Sequence, residues 1–143
     1  KALAEADAWP GPSIVIAFSH CIAHGYDLAK GCQQQKLAVD TGYWPLYRYD
    51  PRKAGPGESP LHMDSSAPKG KIADFARNET RFRMVEQQNP ERFKQLMELA
   101  QADAESRFDL YRHMAEPVEH VSAGNGAPKA AKSDKPAAAK AQD

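Results

Sequence analysis

The run Ser13-Ile14-Val15-Ile16-Ala17-Phe18 constrains the fold more than any other stretch of this chain. It is apolar without alternation and carries three consecutive β-branched residues, so it has no polar face to turn toward water. Such a run predicts a strand over residues 13–18 covered on both faces by helices, the signature of a parallel sheet. Pro10-Gly11-Pro12 just before it reads as a turn, because proline cannot continue the hydrogen-bond ladder of the Ala- and Glu-rich helix expected over residues 1–8. Ser19, His20 and Cys21 follow at the carboxyl end of the strand, where open α/β sheets place their ligands and functional groups.

A connecting helix and a second strand come next. Residues 27–40 are rich in helix formers, with Leu28, Cys32, Gln35 and Val39 near one face, and Gly42 suits the helix end. The aromatic stretch 43–49 reads as a strand, Pro45 arguing for an edge position or the strand's first residues, and Asp50-Pro51 turns the chain away. A strand–helix–strand order joins parallel strands by a right-handed crossover, and two strands cannot stand alone. The first half is therefore expected to be the tail of a larger α/β sheet. The chain opens on lysine with a helical pattern already under way, so it is expected to be cut from something longer.

Residues 52–71 hold prolines and glycines and no apolar periodicity, which predicts an extended loop wrapping over a neighbouring surface. Helical patterns return over 72–88 and 90–115, with Asn89 a potential N-cap and Pro90 suited to the first turn. Phe93, Leu96, Met97, Ala100, Ala104, Phe108 and Tyr111 fall on one stripe, the inward face of an amphipathic helix. Beyond Glu116 no aromatic residue offsets the entropy of ordering, so the tail, 117–143, is expected to be disordered. At 143 residues one domain with a real core is the natural size.

Charge excludes some functions. Nineteen basic and nineteen acidic residues balance, leaving no global field for nucleic acid or an anionic membrane. The apolar run is too short to cross a bilayer, and no signal peptide opens the chain, so a soluble cytoplasmic protein is expected. Two cysteines, Cys21 and Cys32, are too few for a disulfide scaffold and fit a reducing compartment.

The densest chemistry lies in Ser19-His20-Cys21-Ile22-Ala23-His24-Gly25. Three readings compete on the residues alone. Cys21 and His24 have a spacing used by zinc ligands, but four ligands are wanted and no second paired motif exists. Cys21 as a catalytic thiol needs His20 or His24 as its base and an oxyanion hole. The third reading is a buried, inert cysteine packing as a small hydrophobe beside incidental histidines.

A wider pattern bears on the choice. The stretch from Pro10-Gly11-Pro12 through Cys21 to His24-Gly25 is followed by Gly42-Tyr43-Trp44-Pro45-Leu46-Tyr47-Arg48-Tyr49-Asp50-Pro51-Arg52. Together they closely resemble the end of the thiamine-diphosphate-binding domain in pyruvate:ferredoxin/flavodoxin oxidoreductases. The resemblance continues through Met63-Asp64-Ser65-Ser66-Ala67-Pro68 and Asn78-x-x-Arg81-Phe82 and covers nearly everything before the tail.

The resemblance implies an oxidoreductase that decarboxylates pyruvate on thiamine diphosphate and transfers the acetyl group to coenzyme A. Electrons would pass through four-iron four-sulfur clusters to ferredoxin or flavodoxin, in a full-length homodimer. Cys21 matches the position of the last ligand of the cluster nearest the thiamine, whose other ligands come from an earlier domain. The same resemblance assigns no ligand role to Cys32, which is taken as packing, and no catalytic role to His20 or His24.

Neither Gly-Asp-Gly nor Cys-x-x-Cys occurs in the chain. Thiamine diphosphate, Mg²⁺, pyruvate and coenzyme A would then be bound upstream, and the fragment alone would be inactive. The organisation implied is 1–52 as the end of the thiamine-diphosphate-binding α/β domain, 53–71 as the wrapping loop, 72–116 as carboxy-terminal helices and 117–143 as the tail. The alternatives are an oxidoreductase for another 2-oxoacid and a non-enzymatic α/β interaction subunit.

Overall fold

Pro10 sets the first boundary. In the computed structural model, which describes residues 1–117, helix α1 spans Ala2–Asp7 and stops short of the Pro10-Gly11-Pro12 turn. The expected tail, 117–143, lies outside the described residues apart from its first position. After an extended segment the chain makes 3₁₀ turns at Ile22–His24 and Leu28–Lys30, and helix α2 follows at Gly31–Asp40. Asp27 caps the second turn by accepting the Ala29 N–H at 3.0 Å.

Strand β1, Tyr47–Tyr49, pairs antiparallel with β2, Leu61–Met63, in the register Arg48 opposite His62. Three helices close the described residues: α3 at Ile72–Ala76, α4 at Thr80–Gln88 and α5 at Pro90–Met114. Asn89 caps α5 as expected, accepting the Arg92 N–H at 2.9 Å. The predicted stripe faces inward: Phe93, Ala104 and Phe108 are buried, and Tyr111 meets Tyr47 with ring centroids 4.8 Å apart. No helix among the described residues is long and apolar enough to cross a membrane.

Mixed helix and strand agree with an α/β fragment, but the sheet differs from the predicted one. Residues 13–18 form no strand; Ile14 and Ile16 are 86% and 71% exposed, and no backbone hydrogen bond engages Ile14 to Ala17 among the described residues. A two-faced apolar strand needs neighbours at both edges and covers on both faces. Among the described residues the sheet is the antiparallel pair β1–β2 alone, so the run 13–18 lacks the flanking strands and covering faces that such a strand requires.

The predicted loop 52–71 is what supplies β2. Asp50 accepts the Arg52 N–H at 3.1 Å and bends Pro51–Lys53 into a 3₁₀ turn. A tight reversal with Gly57 at φ +79° then brings the chain back, so Asp50 N–H reaches Pro60 O at 2.9 Å. The segment folds on its own chain, and Ser59 Oγ donates to the Met114 carbonyl at 2.7 Å.

Two helices also depart from expectation. On α2 the inward face is Gly31, Gln34 and Ala38, while Leu28 and Cys32 are exposed. Gly31 faces the His20 ring, and Gln34 Nε2 donates across to the Phe75 carbonyl of α3 at 3.2 Å. Cys32 is therefore not a packing residue. The single helix predicted over 72–88 is broken because Glu79, with φ −106° and ψ 129°, leaves the helical region to open α4.

Arg48 ties α1 to the hairpin. Its guanidinium holds Asp64 through two bonds of 2.6 and 2.7 Å and also binds the Glu5 carboxylate. Behind it, Arg52 lies over the Trp9 ring at 5.3 Å. The hydrogen bond to Arg48 is the main reason that the Glu5 and Asp64 carboxyls are held below their ordinary values. Depressed carboxylates stabilise the fold above their unfolded pKa and lose that contribution as pH falls through the folded pKa. Acid below about pH 4 is thus expected to release α1 from the hairpin. In a Trp44→Phe chain this is read as a Trp9 emission change, and Arg48→Gln should abolish the transition.

Candidate functional site

Cys21 ends the exposed apolar segment with extended backbone, φ −144° and ψ 145°, and caps the 3₁₀ turn Ile22–His24. Its carbonyl accepts the His24 N–H at 3.0 Å, and its thiol is free and exposed. Exposure sets aside the reading of a buried, inert cysteine. Gly25 closes the turn at φ +72°, a left-handed conformation that favours glycine.

Neither histidine serves the thiol. The His20 ring lies against the backbone of Gly31, where a Cβ would come within 3.7 Å of it. His24 is turned the other way, its Nδ1 3.8 Å from a Glu79 carboxylate oxygen. Among the described residues no hydrogen bond joins either imidazole to the sulfur, so the base needed by a catalytic thiol is absent from this arrangement. No group of three or more His, Cys, Asp or Glu side chains there is arranged to hold a metal ion, so the zinc reading has no ligand set.

The segment leading to Cys21 is held from two sides. With its amide oriented to satisfy both partners, Gln35 of α2 donates to the Phe18 carbonyl at 3.3 Å and accepts the His20 N–H at 2.9 Å. Phe18 stacks on Trp44 at 5.3 Å and meets Tyr43 edge-on at 5.7 Å, and Tyr43 in turn stacks on Phe75 at 4.3 Å. The start of the predicted aromatic strand is therefore a packing cluster that runs from the Cys21 segment into the core.

Beneath the turn lies a buried carboxylate that the sequence reading missed. Glu79 is 1% exposed. Arg81 Nε donates to it at 2.6 Å and Gln34 Nε2 at 3.0 Å, and Asn78 secures Gln34 from behind. Burying a carboxylate is costly unless it is paired and hydrogen-bonded, and these donors meet that requirement. Burial, with the Glu79 charge adding to it, pushes the nearby Tyr26 hydroxyl above its ordinary pKa. Two signals could have found this site: Asn78 and Thr80 are cap formers placed inside a supposed helix, which argues for a break there. Gln34 carries no comparable signal.

The arrangement presents one free thiol outward. The sulfur has a defined turn behind it and makes no hydrogen bond to another side chain among the described residues.

No protein-family model matches the chain. It is 52% identical over 115 residues to the pyruvate-flavodoxin oxidoreductase of Rhodospirillum rubrum, a match covering 80% of this chain and 10% of that protein. To the pyruvate:ferredoxin oxidoreductase of Moorella thermoacetica it is 41% identical over 116 residues, 81% of this chain and 10% of that protein. A mitochondrial pyruvate dehydrogenase [NADP(+)] of Euglena gracilis is 36% identical over 118 residues, 81% of this chain and 6% of that protein. The chain spans about a tenth of the length of the first two relatives.

Proposed function

We infer that this chain, a homologue over four-fifths of its length of the pyruvate-flavodoxin and pyruvate:ferredoxin oxidoreductases, acts as one segment of an enzyme that oxidatively decarboxylates pyruvate to acetyl-CoA. Within it, Cys21 supplies one thiolate to a four-iron four-sulfur cluster. The observation that carries this reading is the pairing of high identity with an exposed, unpartnered Cys21 thiol at the end of an unpaired apolar segment. A ligand destined for a cluster held mainly by another part of the enzyme has to project from its own segment.

On this reading residues 1–52 complete the thiamine-diphosphate-binding α/β domain, and the run 13–18 takes its place in that domain's parallel sheet. Pairing there would cover Ile14 and Ile16 and satisfy the free backbone groups. Residues 72–116 brace the Cys21 turn through Glu79 and Thr80, while 53–71 wrap back over β1. Thiamine diphosphate, Mg²⁺, pyruvate and coenzyme A are bound by the rest of the enzyme, a cytoplasmic homodimer. The relatives' names share pyruvate and differ in flavodoxin, ferredoxin or NADP⁺. The shared pyruvate supports it as the substrate, with flavodoxin or ferredoxin as the electron acceptor.

The test is an assay of the complete enzyme with pyruvate and other 2-oxoacids, following reduction of flavodoxin and of ferredoxin with and without coenzyme A. Pyruvate is expected to be preferred and the reaction to require coenzyme A, at about 1–1000 turnovers per second. Preference for another acid would overturn the substrate, and absence of any 2-oxoacid oxidation would overturn the enzyme reading.

A further inference from the structure

We propose that Gly25, Glu79 and Thr80 are positioning residues for Cys21: they hold the turn that aims its sulfur, and so give the carboxy-terminal helices a part in the redox centre. The proposal rests on the reading of Cys21 as a cluster ligand.

The thiol itself is unrestrained by any side chain of the described residues, so its direction is inherited from the backbone that follows. That backbone is fixed at one point. The Gly25 carbonyl accepts two hydrogen bonds from Thr80, one from the backbone N–H at 3.0 Å and one from Oγ1 at 2.5 Å. The Thr80 N–H is a free donor at the first turn of α4, and Gly25 satisfies it.

The approach is as close as a glycine permits. A Cβ on Gly25 would stand 2.6 Å from the Thr80 Cβ and 2.9 Å from its hydroxyl, and the residue already has a φ that side chains disfavour.

Glu79 fixes the other half of the joint. Its backbone breaks the helix so that Thr80 presents its donors, and its buried carboxylate is gripped by Arg81 and by Gln34 of α2. The same carboxylate stands 3.8 Å from His24 inside the turn. Sequence neighbours of Cys21 are in this way clamped to residues more than fifty positions away. A metal ligand has to be held within about 0.5 Å of its working position, and such outer contacts are what hold it.

Three variants of the complete enzyme test this beside Cys21→Ser: Thr80→Val, which removes the hydroxyl donor and keeps the shape; Thr80→Ser, which restores the donor; and Gly25→Ala. Reduced samples are compared by electron paramagnetic resonance, redox titration and the rate of iron loss to a chelator. Thr80→Val is expected to shift the spectrum and midpoint potential of the same cluster that Cys21→Ser perturbs, and to speed its iron loss about tenfold. Thr80→Ser should behave as wild type, and Gly25→Ala should exceed Thr80→Val. Thr80→Val carries the test should Gly25→Ala not accumulate. If Cys21→Ser changes a cluster and Thr80→Val leaves its spectrum, potential and iron loss at wild-type values, the positioning role is overturned. If Cys21→Ser leaves every cluster unchanged, the ligand reading itself falls and the proposal with it.

Discussion

The complete enzyme carrying Cys21→Ser is expected to lose about four iron atoms per chain and most of its electron transfer to an acceptor protein. A serine hydroxyl is a hard oxygen donor and does not replace the soft thiolate that holds iron in such clusters. With one of four ligands gone the cluster becomes labile, and transfer should fall about a hundredfold. Cys32→Ser is the matched control. Cys32 is also free and exposed, but it lies within α2, at a position to which the family resemblance assigns no ligand role. That change should leave iron content and turnover unaltered. An unchanged iron count in Cys21→Ser, with normal turnover, would remove Cys21 from the ligand set.

The sequence made some of these elements legible for clear physical reasons. Pro10 and Asn89-Pro90 fix backbone geometry locally, so the limits of α1 and α5 could be read without any tertiary information. The stripe from Phe93 to Tyr111 was equally plain, because twenty-five helical residues give periodicity room to show.

What failed depended on partners. The β-branched run 13–18 reads as a strand, yet a strand exists only when another segment exchanges backbone hydrogen bonds with it, and among the described residues none does. The loop 52–71 concealed β2 because Pro and Gly content reports turns without reporting what the chain does between them. On α2 the inward face is carried by Gly31 and Gln34, which no hydrophobic pattern picks out. Cys21 was legible as a site residue through its surroundings in sequence. The clamp beneath it was not, because Gly25, Gln34 and Glu79 meet only once the chain has folded.

This geography makes the site hostage to a small core, and Phe75→Ala is expected to show it. Eight apolar residues are buried among those described, and three of them are alanines, so the aromatic side chains carry most of the buried area. Phe75 has no exposed surface at all. It stacks on Tyr43 at 4.3 Å, meets Phe82 of α4 at 6.4 Å, and offers its carbonyl to the same Gln34 that grips Glu79. Truncation there removes the contacts of a full ring and leaves a cavity between α2 and α3, at a cost of about 3–5 kcal/mol. Domains have only about 5–15 kcal/mol in total, so a large fraction of the stability would go. In urea unfolding of the chain followed by fluorescence, the midpoint should drop by roughly 2 M at a slope of about 2 kcal/mol per molar. Phe75→Leu, which keeps most of the volume, should cost less than about 1.5 kcal/mol. Equal shifts for the two variants would mean that the ring is not the centre of the core. The expected order would instead tie the fold to the chemistry, because Phe75, Tyr43 and Phe18 form a continuous chain of aromatic contacts behind the segment that presents Cys21.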